Sequence, residues 1–302
     1  MAFLNQISTI LEMGNIYALV SLGVYITYKI LNIADLSVDG TFPLGGVVFA
    51  VLLTAGCPWT IAMIASFLAG CVAGLVTGIL HVKLKINGLL SGIITLTALL
   101  SVTYLIANGP MVSFAKNVTL LNNPVINGLH STVRNYAQVL LTFLLVVATK
   151  IILDLFMKTR LGFMLRATGD NPQIVTQMGR NTDNYKMLGL AVANGLVALA
   201  GSLYCQYNTV FNSSMGSGTV VIALACVIIG CVISKRVKIM SDTTGVIIGG
   251  IIYYAVLSVA MTVLGSDYTK LVVAILFVLI LLLDNGAVRN RFKSHLKSKK
   301  GY

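Results

Sequence analysis

What most constrains this chain is a succession of apolar runs, each near the length of one membrane crossing. A helix crossing the hydrocarbon layer needs roughly 20 mainly apolar residues. On that criterion nine spans are predicted, at about 7–31, 42–56, 59–82, 86–107, 136–157, 187–210, 217–234, 243–264 and 268–284, the second and seventh being short. Of the 302 residues, 57% are hydrophobic and 10% charged, and the mean hydropathy is +0.91, so no water-soluble fold accommodates most of the chain. The expected fold class is all-α: one polytopic membrane domain over 1–302. The first thirty residues lack a cationic leader region and a small-residue cleavage site, so the first span is expected to be retained.

Basic residues set the expected orientation, because they are retained on the cytoplasmic side. With the amino terminus outside and the carboxyl terminus inside, only Lys116, Arg134 and Lys270 of the 21 basic residues fall outside. An eight-span alternative scatters the charges. The net charge of +12 sits in short loops and in the tail at 285–302, which reads as an anchor to the lipid surface and not as a nucleic-acid arm. The residues at 108–135, with Pro110 and Pro124 and little helical periodicity, form the main predicted external loop.

Between the fifth and sixth spans lies a polar segment, 158–186. Gly169 is expected to break one helical pattern there. Asp170 or Asn171 can cap the next, and Pro172 suits a first helical position because its missing N–H has no intrahelical partner to lose. Two turns follow, with Ile174, Val175 and Met178 expected on one side and Gly179 as the stop. A short helix held in water by two spans suits a knob pressed into a partner's groove; the alternative is an ordinary basic loop.

After the first span, Gly40, Pro43, Gly45 and Gly46 predict a broken or re-entrant segment, a conformation tolerated at membrane depth only inside protein or beside a wet cavity. The spacing of Asp35, Ser37, Asp39 and Gly40 resembles the opening of a calcium loop, but Gly46 stands where the closing carboxylate belongs, so calcium is rejected. Asp35, Asp39 and Thr41 either line a polar cavity or cap free backbone N–H groups. Glu12 and Asn15 lie one turn apart in the first span, and Asn194, Gln206 and Asn208 lie in or near the sixth; such groups must face protein or water, and amides often bond helix to helix. Lys150 and Asp154 read as an i,i+4 ion pair. Glycines at 70, 74 and 78, at 88 and 92, and at 245 and 249 make small-residue stripes for close helix packing. Related words beginning at Asn15 and Asn194 suggest an inverted repeat with a solute route between its halves. The five cysteines show no metal-ligand spacing. Fingerprints of P-loop ATPases, hydrolases, zinc proteases and dinucleotide enzymes are absent, so no catalytic residue is assigned.

Five stretches, 14–46, 86–99, 161–181, 193–207 and 214–230, make the chain resemble permease subunits of ATP-binding-cassette importers of the branched-chain amino acid and ribose type, in the branch typified by tryptophan or tyrosine uptake. The resemblance implies a bacterial plasma-membrane protein, a homodimer of permeases, two separate ATPase subunits that hold ATP and magnesium, and an extracytoplasmic substrate-binding protein. It implies no cofactor and no metal bound by this chain, and no enzymatic activity of its own. The family's coupling helix falls on Gly169 to Gly179, with Arg166, Asp170, Asn171 and Pro172 positioning it and Ile174, Val175 and Met178 entering the ATPase. Asp39, Thr41, Thr95, Asn194 and Gln206 are the candidates for the translocation pathway of a small solute, expected to be an amino acid. The alternative function is an ion-coupled secondary transporter, with Glu12 or Asp39 as its coupling group.

Overall fold

In lipid an apolar side chain gains little by turning inward, so helices associate through small and polar residues while aliphatic ones face out. The computed structural model follows this rule; it describes residues 2–123, 128, 131–237, 240–265 and 269–284. The basic tail at 285–302, together with Pro124, His130, Lys238 and His295, lies outside the described residues.

In chain order the helices are α1 (Ala2–Val24, continued by a π-helical stretch, Tyr25–Ile30), α2 (Val38–Thr54), α3 (Trp59–Val82), α4 (Gly88–Ala107), α5 (Ser131–Lys158), α6 (Arg160–Asp170), α7 (Pro172–Gln177), α8 (Thr182–Asn208), α9 (Thr219–Arg236), α10 (Asp242–Leu264) and α11 (Thr269–Asp284). Among the described residues seven helical stretches are long and apolar enough to cross a membrane, and two more, Val38–Thr54 and Thr269–Leu281, are apolar but shorter. The protein is therefore an all-α polytopic membrane protein. One departure from pure helix is a two-stranded antiparallel sheet: β1 (Met111–Ser113), from the predicted external loop, pairs with β2 (Val210–Asn212), which follows α8.

Helices α1 and α8 form the centre and are the most deeply covered of the long helices. They carry the buried polar groups Glu12, Asn15, Ser21, Asn194 and Gln206. Around them α3, α4 and α5 turn Ile61, Leu68, Leu90, Leu105, Ile152 and Leu155 outward. Their inner faces hold Ser66, Thr77 and Thr95; Ser66 donates to the Gly45 carbonyl at 2.9 Å and Thr77 to Thr95 at 3.0 Å. The predicted glycine stripe on α3 faces α8, where Gly70 and Gly74 lie against the Asn194 and Leu190 carbonyls.

Exchanging α1 to α4 for α8 to α11 preserves the helix pairings. Helix α1 packs on α10 as α8 packs on α3, α2 on α8 as α9 on α1, and α2 on α4 as α9 on α11. The two words beginning at Asn15 and Asn194 occupy equivalent places in this arrangement.

The irregular segment is real but displaced from where the glycines and proline put it. It covers residues 31–37, while α2 runs unbroken through Gly40, Pro43, Gly45 and Gly46. Those glycines admit neighbours instead of disrupting the helix: Gly45 lies against Ala198, and Gly46 against Cys205 and Met215. One side of segment 31–37 is packed on protein: Leu31, Ile33, Asp35 and Ser37 are buried, with Gly88 of α4 against Ile33 and Gly92 against Leu36, while Asn32 and Ala34 are exposed. Irregular backbone at membrane depth needs such protein cover or a wet cavity beside it.

Candidate functional site

Two regions carry the features expected of a transport route: the segment between α5 and α8, and a cavity at the opposite end of α8.

In the first region Thr159 caps α6, its hydroxyl accepting from the Gly162 N–H at 3.3 Å. Asn171 is extended (φ −153°), ends α6 and caps α7, its Oδ1 accepting from the Gln173 N–H at 3.0 Å. Pro172 opens α7 as its sequence position predicts. Gly179 has φ +72°, a conformation costly for a side chain, and it follows the C-cap of α7.

Two expectations here are corrected. Gly169 does not break a helix; it lies inside α6, and its missing side chain lets the helix close against the Ile30 carbonyl at the end of the π-helical stretch. Val175 is not on the outward face with its neighbours. It is fully buried in the chain, whereas Ile174 and Met178 are 52% and 57% exposed. A six-residue helix lying on protein buries one side only, and Val175 is on it.

Behind α6, Arg166 and Asp170 line a cavity of about 370 Å³ with Tyr25, Lys29, Asp154 and Asp242. Tyr25 donates to Asp242 at 3.4 Å, Ser234 donates to Asp242 at 2.6 Å, and Thr243 donates to Asp154 at 2.7 Å. The predicted pair of Lys150 and Asp154 is formed at 2.8 Å. Segment α6–α7 is thus seated on α1 through Gly169 and shares a polar cavity with α5 and α10.

The second region is a cavity of about 670 Å³. Tyr17 and Tyr204 line it, and Tyr17 stacks on Tyr254 with ring centroids 5.6 Å apart. Its polar lining is Asn208, Asn212, Ser214, Ser217, Thr269 and the exposed Lys270. It can receive a small molecule with an apolar or aromatic body and an anionic end. Of these residues the sequence points to Asn208 as a polar group near the sixth span and to Lys270 only as an external basic residue, because the cavity joins helix ends far apart in the chain; the aromatic cluster of α8, Tyr204 and Tyr207, is the available signal.

None of the five predicted pathway residues lines this cavity. Asn194, fully buried, is instead the centre of a hydrogen-bonded hub. Its Oδ1 accepts from Ser37 at 3.1 Å and Thr41 at 2.8 Å, and its Nδ2 donates to Asp35 at 2.8 Å and to the Leu190 carbonyl at 3.1 Å. Asp39 accepts from the backbone N–H groups of Val220 at 2.7 Å and Gly218 at 3.2 Å, so it caps α9 and not its own segment. Thr95 donates to the Ser91 carbonyl within α4 and accepts from Thr77 of α3 at 3.0 Å. Gln206 accepts from the Leu120 N–H at 3.1 Å, tying α8 to the 108–135 stretch. These four arrangements hold helices together. Among the described residues no group of three or more histidine, cysteine or acidic side chains could hold a metal ion.

A helical membrane protein with two parallel sets of helix pairings, a polar cavity at one end and a capped lever at the other has the build of a membrane permease. The family described as branched-chain amino acid transport system permease components matches residues 6–281, and the chain belongs to that family. It is 38% identical to a tyrosine transport system permease protein of Clostridioides difficile, over 93% of this chain and 92% of that protein. It is 34% identical to an uncharacterized protein of Rickettsia prowazekii, over 75% and 77% of the two chains. A third relative, the autoinducer 2 import system permease protein LsrC of Salmonella paratyphi B, is 25% identical over 74% of this chain and 62% of its own. No solved structure matches. The chain is accordingly the permease component of a transport system, a multi-pass protein of the bacterial plasma membrane.

Proposed function

We propose that the chain is one half of the translocation path of an importer for an amino acid with an aromatic side chain, worked by ATPase subunits that dock on α7. In this reading all nine apolar helices cross the membrane, with the amino terminus outside and α6–α7 in the cytoplasm. A second copy completes a homodimer. Two ATP-binding-cassette subunits hold the nucleotide and magnesium, and an extracytoplasmic protein delivers the solute; the chain itself binds no cofactor. Helices move between two packings, and the preference of solute and nucleotide for different packings gives transport its direction.

The observation that carries the reading is the lever: a helix capped at both ends, seated by Val175 and by the Gly169 contact, presenting Ile174 and Met178 to a partner's groove. The solute assignment draws on the Tyr17 and Tyr204 lining, Lys270 as a partner for a carboxylate, and the tyrosine named for the Clostridioides relative.

Ile174→Glu with Met178→Glu should lower ATP-driven uptake at least tenfold, as expected when apolar anchors are lost from an interface centre, and leave the thermal unfolding of the permease unchanged. Unimpaired uptake would refute the docking surface.

A second reading rests on Glu12, which is 3% exposed and whose Oε1 has no hydrogen-bond partner among the described residues. An ion-coupled carrier would use such a carboxylate. That reading leaves the lever unexplained.

A further inference from the structure

A third cavity, of about 680 Å³, opens between α5 and α10 beside α6 and is not accounted for by solute or ATPase. Its cations are Lys150, Lys158 and Arg166, against the single carboxylate of Asp154. That carboxylate is engaged by Lys150 at 2.8 Å and by the Thr243 hydroxyl at 2.7 Å. Lys158 is exposed and has no acidic partner among the described residues; Arg166, also exposed, lines the neighbouring cavity of about 370 Å³ together with Asp170 and Asp242 but forms no ion pair with either. The start of α10 adds Ser241 and Thr244, whose hydroxyls share a hydrogen bond at 2.7 Å while Ser241 also caps the Thr244 N–H; Asp242 in the same turn is held by Ser234 at 2.6 Å and does not line the cavity.

The remaining walls are apolar. They are Val237, 48% exposed, and Met240, while on α5 the exposed Ile151 and Leu155 directly follow the lining residues Lys150 and Asp154 in sequence. A lining with excess positive charge thus adjoins exposed aliphatic side chains, and a molecule covering both needs an anionic head and hydrocarbon chains. The sequence at 285–302 carries six Lys and Arg and no acidic side chain, so it supplies no side-chain anion to match these cations.

We infer that this cavity between α5 and α10 binds the phosphate of an anionic phospholipid, with Lys158 as the free cation. The assignment to the cytoplasmic leaflet rests on the orientation proposed above, but the binding does not. Because a lipid joins α5, α6 and α10, it steadies the seat of the lever.

The full-length protein is reconstituted in nanodiscs of equal parts phosphatidylglycerol and phosphatidylcholine, and the lipid retained after mild delipidation is identified by native mass spectrometry. Phosphatidylglycerol should be retained in preference. Lys158→Gln should lower that preference about fivefold, the contribution of one basic residue near a membrane surface, and Lys158→Arg should restore it. Lys83→Gln removes an exposed charge elsewhere and should leave the preference intact. An unaltered preference in Lys158→Gln, or an equal loss in Lys83→Gln, would overturn the site. Displacement of the lipid by millimolar inorganic phosphate would also overturn it, in favour of a soluble anion. The readout needs neither ATPase nor solute, so failure of the transport reading leaves it interpretable.

Discussion

Asn194→Leu is expected to destabilise the permease by about 3–5 kcal/mol, enough to remove most folded protein from the membrane. Leucine keeps the branched skeleton of asparagine and removes every hydrogen-bonding atom, so the main effect is the loss of polar partners. It strips Asp35, 6% exposed, of the amide that donates to its Oδ2, and it unties Ser37 and Thr41 from α8, leaving their hydroxyls only the local acceptors Asp35 Oδ1 and the Ser37 carbonyl. A buried carboxylate robbed of a donor costs far more than an ordinary lost hydrogen bond. Asn194→Asp should fare little better, since it sets a second carboxylate against Asp35. Thermal unfolding of the detergent-purified variants measures this; a melting temperature equal to that of the unaltered protein would show that the hub is not what fixes segment 31–37.

Gly201→Val should be comparably damaging through packing alone. A side chain at Gly201 meets the Phe42 carbonyl, and one at Gly45 meets the Ala198 carbonyl, so α2 and α8 touch backbone to backbone along this line. Overfilling a tight contact typically costs about 1–3 kcal/mol, and more where the obstacle is backbone that cannot turn aside. The expected outcome is loss of monodisperse protein on size-exclusion chromatography, with Gly201→Ala intermediate. A valine variant of normal yield and stability would contradict the close approach.

These two residues show what the sequence discloses and what it withholds. The helix positions, the caps at Asn171 and Pro172 and the stop at Gly179 depend on neighbours a few residues away, so local patterns reveal them. The roles of Gly169, Gly45 and Gly46 depend on Ile30, Ala198 and Cys205, distant in the chain, and in isolation the same glycines read as helix breakers. Asp39 illustrates the difficulty for charge: nothing near it indicates that its carboxylate reaches the start of α9. Asn194 stands out as a polar residue in an apolar run, but whether it meets solute or hydroxyls is decided by α2, and the structure brings Ser37 and Thr41 to it. Val175 was misplaced because three apolar residues in two turns do not specify which side meets the protein's own surface.

Uptake of a radiolabelled aromatic amino acid into sealed proteoliposomes, with the permease alone and with its ATPase subunits and binding protein added, is the most direct measurement. The lever reading predicts accumulation only when all partners and ATP are present, undiminished when a protonophore collapses the proton gradient and unaffected by Glu12→Gln in a correctly folded protein. Accumulation by the permease alone, driven by an imposed ion gradient and lost in Glu12→Gln, would contradict it.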